Sequence, residues 1–155
     1  MHGMSLMGVR ASQEGGGLVA ILVEEDGPRM VAVPVSARDA LTLSSGEGTA
    51  SSTWSALLTS TLHAVGAQLR GLVLDVDADG ALSTGVRVVA ADGGEHLVPC
   101  CPAEALILAY ERRARLRASS ALLRLRAVDL TGETVQEQVA RLRSALDAGP
   151  GGLGP

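Results

Sequence analysis

The sequence predicts an α+β single domain built from a duplicated strand–turn–strand–strand–helix unit, with a further helix at the C-terminal end. Three observations predict it. The segment "VPVSARDALTL", from Val33, and the segment "VPCCPAEALIL", from Val98, agree as V-P, four free positions, an acid, then A-L-x-L. Each follows two apolar β-like runs joined by a turn containing Asp-Gly, "EDGP" at 25–28 and "ADGGE" at 91–95. Self-similarity of this kind marks an internal repeat of one supersecondary unit. Finally, 155 residues with 46% apolar content suit one domain with its own core.

In order along the chain, Ser5–Ala11, Leu18–Glu24 and Arg29–Val35 have the apolar, β-branched character of strands, separated by a glycine loop and the "EDGP" turn. Ser36 is an N-cap with Asp39 three residues on, opening a short helix through Leu41 and Leu43. A second helix runs from about Thr53 to Val65, stopped by Gly66. Its apolar stripe is Trp54, Leu57, Leu58, Thr61, Leu62 and Val65. Leu69–Val76, Ala81–Ala90 and Glu95–Pro99 are the strands of the second unit, and "LVPCCPAEALILAY" opens a helix reaching about Arg113. Ser119 or Ser120 caps a short helix, and "VDLTGE" is a loop. Thr134 and Glu137 form a capping box before a narrow seam of Val135, Val139, Leu142 and Leu146, which Gly149-Pro150 ends. The domain thus spans 5–127, with a helical extension over 128–148 and a flexible tail over 149–155. The seam needs a partner surface, so a homo-oligomer is expected.

The formal charge of -4 gives no global attraction to nucleic acid, so such a role needs a local basic patch. All 13 basic residues are arginine. No apolar run reaches the ~18 residues of a membrane span, and the N-terminus lacks the charged and apolar regions of a signal peptide. The expectation is a cytoplasmic protein with no membrane partner. Two cysteines do not make a disulfide framework.

Several segments could carry chemistry. Cys100 and Cys101 are adjacent, a spacing that strains a disulfide and is too close for the usual zinc pair. With Pro102 at the first helical position, Cys101 becomes the cap and Cys100 the strand end, and free cysteine is a good small buried hydrophobe. Asp39 and Glu104 fall at equivalent places in the two units. They are either paired carboxylates for a metal or third-position helix acids facing the cap and the dipole. "DVDADG" starts like a calcium loop, but Val86 stands where the bidentate glutamate must be, so it is a hairpin turn. Six arginines lie between Arg112 and Arg126, a phosphate-binding cluster or a solvated or interface face, with only Trp54 and Tyr110 available to stack on bases. His63 sits on the polar side of its helix with Thr59 and Ser60. No Walker, Rossmann or G-x-S-x-G pattern occurs.

The order of elements, and "LVPCCPAEALILAYERRARLRASSALL" above all, resembles the bifunctional nuclease family (the BFN or DUF151 domain) over nearly the whole chain. "LMGVR" resembles its first strand, "VPVSARDAL" its I-x-I-G-x-x-E-A segment, "LLTSTLHAVGAQL" its helix ending in L-G-A, and "QVARLRSALDA" the C-terminal helix of longer members. The resemblance implies an α+β domain with DNase and RNase activity, single-stranded DNA or RNA as partner, and a divalent metal, Mg or Mn, where the site is active. It also carries Asp39 and Glu104 to the catalytic positions, while Arg112, Arg113, Arg115 and Arg117 of the arginine cluster are the candidates for nucleic-acid binding. Other positions depart from the family's pattern. In its A-R-P-S-D corner, Cys101 stands for the arginine and Ala103 for the serine. In its R-P-x-T-H-D run, Ser51, Ser55 and Ala56 stand for arginine, histidine and aspartate. Leu82 and Ser83 replace its F-Y pair.

Phosphodiester hydrolysis needs a base for the attacking water and a cation for the developing charge. Two functions remain open: a nuclease, as the resemblance implies, or a non-catalytic oligomeric or regulatory binding module on the same fold. The surroundings of Asp39 and Glu104 separate them. A nuclease needs at least one of these acids in an open pocket beside another acid or an arginine, whereas a module leaves both in their helix caps.

Overall fold

A computed structural model describes residues 1–12, 15–45 and 53–130. The described chain forms one eight-stranded mixed sheet and four helices, in the order β1 (His2–Ala11), β2 (Leu18–Glu24), β3 (Arg29–Val35), α1 (Ala37–Ser44), α2 (Thr53–Ala64), β4 (Gln68–Val76), β5 (Leu82–Val89), β6 (Glu95–Cys100), α3 (Pro102–Arg112), β7 (Leu116–Ala118), α4 (Ser120–Arg126) and β8 (Val128–Asp129). The strands lie as β6-β5-β4-β7-β1-β2-β3-β8. The duplication is visible in that order. β1-β2-β3 and β4-β5-β6 are antiparallel meanders running outward from β7, which is antiparallel to β1 and parallel to β4.

The two halves share a detail that the letters of the sequence do not reveal. β1 breaks register between Leu6 and Gly8, and β4 between Leu69 and Gly71. A bulge at the same place in each first strand bends it and adds twist. That bending has a purpose. α3 touches β3, β4 and β5. In a flat sheet β3 and β5 would stand about 24 Å apart at ~4.8 Å per strand, beyond the ~10 Å diameter of one helix. The sheet therefore curls around α3. Ala105, Leu106, Ile107 and Leu108 are four consecutive residues of α3, each at most 3% exposed, which is the mark of a helix buried on all sides. Leu22, Leu72, Leu74, Leu122 and Leu123 fill the space around it.

α1 and α3 begin in the same way. Their caps, Ser36 and Cys101, are both extended, and each follows a V-P strand. Ser119, of the two candidate serines, caps α4: its Oγ accepts the Leu122 N–H at 3.0 Å.

Four expectations need correction. The arginine-rich stretch contains β7, in which Leu116 and Ala118 are buried and Arg117 is exposed. The "VDLTGE" loop begins with β8, which pairs with Arg29 and Met30. The apolar stripe of α2 is split: Trp54, Leu57 and Val65 are exposed, while Ser55, Leu58, Thr59 and Leu62 turn inward. Ser55 is tolerated inside because its Oγ accepts a hydrogen bond from Arg112 Nε at 3.0 Å. The first strand also starts earlier than Ser5, at His2. The seam from Val135 to Leu146 lies outside the described residues.

β4 and β7 approach closely at Gly71. A Cβ there would sit 2.9 Å from the Arg115 carbonyl oxygen, the same oxygen that accepts the Leu72 N–H at 2.8 Å. Gly71→Ala is expected to cost about 1–3 kcal/mol by urea unfolding, as overpacking against backbone does. Gly17→Ala, with nothing within 4 Å, should stay within about 0.5 kcal/mol.

Candidate functional site

The corner between β6 and α3 is a helix start. Pro102 occupies the first helical position, and Glu104 Oε2 accepts the Cys101 N–H at 2.9 Å. A thiol is a weak acceptor, so Glu104 supplies the effective half of this capping box. At the equivalent corner, Ser36 Oγ accepts the Asp39 N–H at 3.1 Å and donates to Asp39 Oδ2 at 2.6 Å. Both acids are thus engaged by their own caps, at the positive end of a helix. Neither lines the three clefts described below. Among the described residues, no three His, Cys, Asp or Glu side chains are grouped to hold a metal.

The cysteines are both free. Cys100 is half-buried against the core, its Sγ facing Thr84 Oγ1 at 3.7 Å while the Thr84 hydroxyl donates to the Cys100 carbonyl. Burial pushes the Cys100 thiol above its usual range, against a smaller opposing effect of the Thr84 contact. The buried-hydrophobe expectation holds for this residue alone, because Cys101 is exposed. A cap must leave the strand at the sheet margin, and that turns its side chain outward.

The four candidate arginines have different surroundings. Arg112 is held by Ser55, and its Nη2 is buried without a partner. Arg113 closes α3 in the left-handed conformation, φ 50°. Arg115 and Arg117 are exposed and alternate with the buried Leu116 and Ala118, so they project from the sheet face opposite the helices. Sequence reasoning missed Arg70 and Arg87, which join them there. A cleft of about 480 Å³ is lined by Arg70, Arg87, Arg115 and Arg117, with Glu95. A neighbouring cleft of about 520 Å³ shares Arg70 and Arg115 and adds Arg112, Arg113 and His63. Arg87 is paired with Glu95 at 2.8 Å. The side chains of Arg70, Arg115 and Arg117 make no hydrogen bond or ion pair with another described residue. The signal for this trough is register, which only strand pairing reveals: Arg117 lies opposite Gly3 on one side and Val73 on the other.

A second polar cluster, also unforeseen, occupies the margin of the helix-covered face. Glu24 is buried at 7% exposure. Arg29 donates to it twice, from Nη2 to Oε1 at 2.6 Å and from Nε to Oε2 at 2.8 Å. His2 Nδ1 lies 2.8 Å from Glu24 Oε1 and 3.2 Å from Arg29 Nη2, and His2 Nε2 lies 3.1 Å from Ser120 Oγ. The Arg29 hydrogen bonds outweigh burial and hold the Glu24 carboxyl below its ordinary range.

Compared with known proteins, the chain matches no family model, and no curated protein matches it.

Two outcomes follow from this geometry. Iodoacetamide at neutral pH should modify Cys101 well before Cys100, as read by peptide mass mapping, because Cys100 is both shielded and held as the thiol. The depressed Glu24 pKa also stabilises the fold wherever the carboxylate is ionised. That contribution is complete above the unfolded value of about 4.5 and is lost as pH falls through the folded value. Urea unfolding between about pH 6 and pH 3 should show this acid-side loss, and it should shrink in Arg29→Gln, which is also less stable throughout.

Proposed function

We propose that the protein is a diverged member of the bifunctional nuclease family that holds single-stranded DNA or RNA without cutting it at Asp39 and Glu104. The observation that carries this reading is the engagement of both carboxylates in their own helix caps. A carboxylate that accepts hydrogen bonds from its cap is a poor base and a poor metal ligand. At the matching positions, Ser55, Ala56, Cys101 and Ala103 supply neither a base nor a cation.

Binding is assigned to the trough of Arg70, Arg115 and Arg117, whose guanidinium groups are free to meet phosphates in forked, two-bond contacts. Trp54 and Tyr110 are the only aromatic residues among those described, and Tyr110 is half-buried against the core. Binding is therefore chiefly electrostatic rather than by stacking. Three phosphate contacts at a slope of roughly 0.7 each predict that affinity for a single strand falls about 20-fold between 50 and 200 mM salt.

Fluorescence anisotropy with a labelled single-stranded oligonucleotide tests this. Removing two of the three contacts in Arg115→Ala/Arg117→Ala should weaken binding and lower the salt slope by about 1.4. The oligonucleotide should remain intact with magnesium or manganese. Cutting that Glu104→Gln abolishes would overturn the non-catalytic reading, and binding unchanged in the double variant would overturn the trough.

A further inference from the structure

We infer that Ser120, His2 and Glu24 form a nucleophilic relay, in which the Ser120 hydroxyl is an acyl acceptor activated by His2 and His2 is oriented by Glu24. This inference is independent of the nucleic-acid reading and concerns other residues.

The register of β7 and β1 brings the three together. His2 pairs with Ala118, two residues before Ser120. Met4 pairs with Glu24, which puts Glu24 diagonally across from His2 on the same sheet face. The contacts then fall on the correct atoms. Glu24 Oε1 is 2.8 Å from His2 Nδ1, and Ser120 Oγ is 3.1 Å from His2 Nε2. A carboxylate at Nδ1 fixes the tautomer with its proton there and leaves the Nε2 lone pair to accept from the serine. Arg29 Nη2 lies 3.2 Å from the same Nδ1 and donates to the same carboxylate oxygen.

Structural need does not explain the arrangement. Arg29 alone satisfies both oxygens of the buried acid. Ser119, not Ser120, caps α4. Ser120 is exposed and requires no partner for burial. His2 borders an open cleft of about 390 Å³ whose charged lining is Glu24, Glu25 and Asp26 with Arg115 and Arg117. A cleft of such mixed charge suits a small uncharged carboxylic ester.

In the reaction, Ser120 Oγ bonds to the ester carbonyl carbon as its proton passes to His2 Nε2. The carbon–oxygen bond to the alcohol breaks, and the alcohol leaves with that proton. Water then attacks the acyl-serine, giving its proton to His2, and the serine is released with the free acid. Glu24 is a positioning residue, stabilising the imidazolium that forms at each step. Because Arg29 shares its charge, the relay is a modest one.

Full-length protein incubated with a fluorophosphonate probe provides the test. Attack by Ser120 Oγ forms an O–P bond and expels fluoride, leaving an adduct that mass spectrometry assigns to a residue. The expected result is time-dependent labelling of up to one probe per chain at Ser120, at least about ten-fold slower in His2→Gln and absent in Ser120→Ala. Ser120→Ala alters only an exposed side chain, so it reports even if His2→Gln loosens β1. p-Nitrophenyl acetate should acylate Ser120 with release of nitrophenolate, and this acylation should be absent in Ser120→Ala. No adduct at Ser120, or an equal rate in folded His2→Gln, would make the cluster purely structural and overturn the inference.

Discussion

The burial of α3 inside a curled sheet is the constraint on which the rest of the molecule depends. A helix with Ala105, Leu106, Ile107 and Leu108 all buried has no face for water, so strands must reach it from several directions. The bulges at Leu6/Gly8 and Leu69/Gly71 give the sheet the bend to do so. Once the sheet is curled, its inner face is committed to the core and its outer face is left for charged residues. Arg117 therefore lies between Leu116 and Ala118 in one short strand, with Arg115 just before it.

That division also explains the fate of the acids at the two corners. A helix buried at its middle still has N–H groups at its first turn that need acceptors. α1 meets this need with Ser36 Oγ, which accepts the Asp39 N–H and donates to the Asp39 carboxylate, and α3 meets it with Glu104, which accepts the Cys101 N–H. Side chains used in this way are fixed by the fold, and their identity follows from the helix start. The polar groups with unspent capacity lie elsewhere, on β7 and at the sheet margin around Glu24.

Much of the fold was legible in the sequence because it rests on local patterns. The V-P strands, the extended caps and the Asp-Gly turns are each set by a few neighbouring residues, and they lie close to where the letters put them. β7 and β8 were not legible from periodicity. Three and two residues are too few to show a period, and they become strands only because an edge is available to pair with. The site was less legible than the fold for the same reason. His2, Glu24 and Ser120 are distant in sequence and meet only through the pairing of β1 with β2 and β7. The split stripe of α2 is a different case. Its period was correct, but Arg112 offered Ser55 a hydrogen bond inside and rotated the buried side by about one position.

The place of β7 between the two meanders has a consequence in time. β1 is the first strand to be made, yet one of its two neighbours is complete only at Ala118. During synthesis, β1-β2-β3 can form as a hairpin pair from local contacts, but β1 keeps an open edge until the second meander and α3 have emerged. Closing over so long an intervening chain carries the entropy cost of non-local pairing. The late step in folding is then the insertion of a three-residue strand that joins two preformed halves, and chains interrupted before residue 116 carry an unpaired edge on each half.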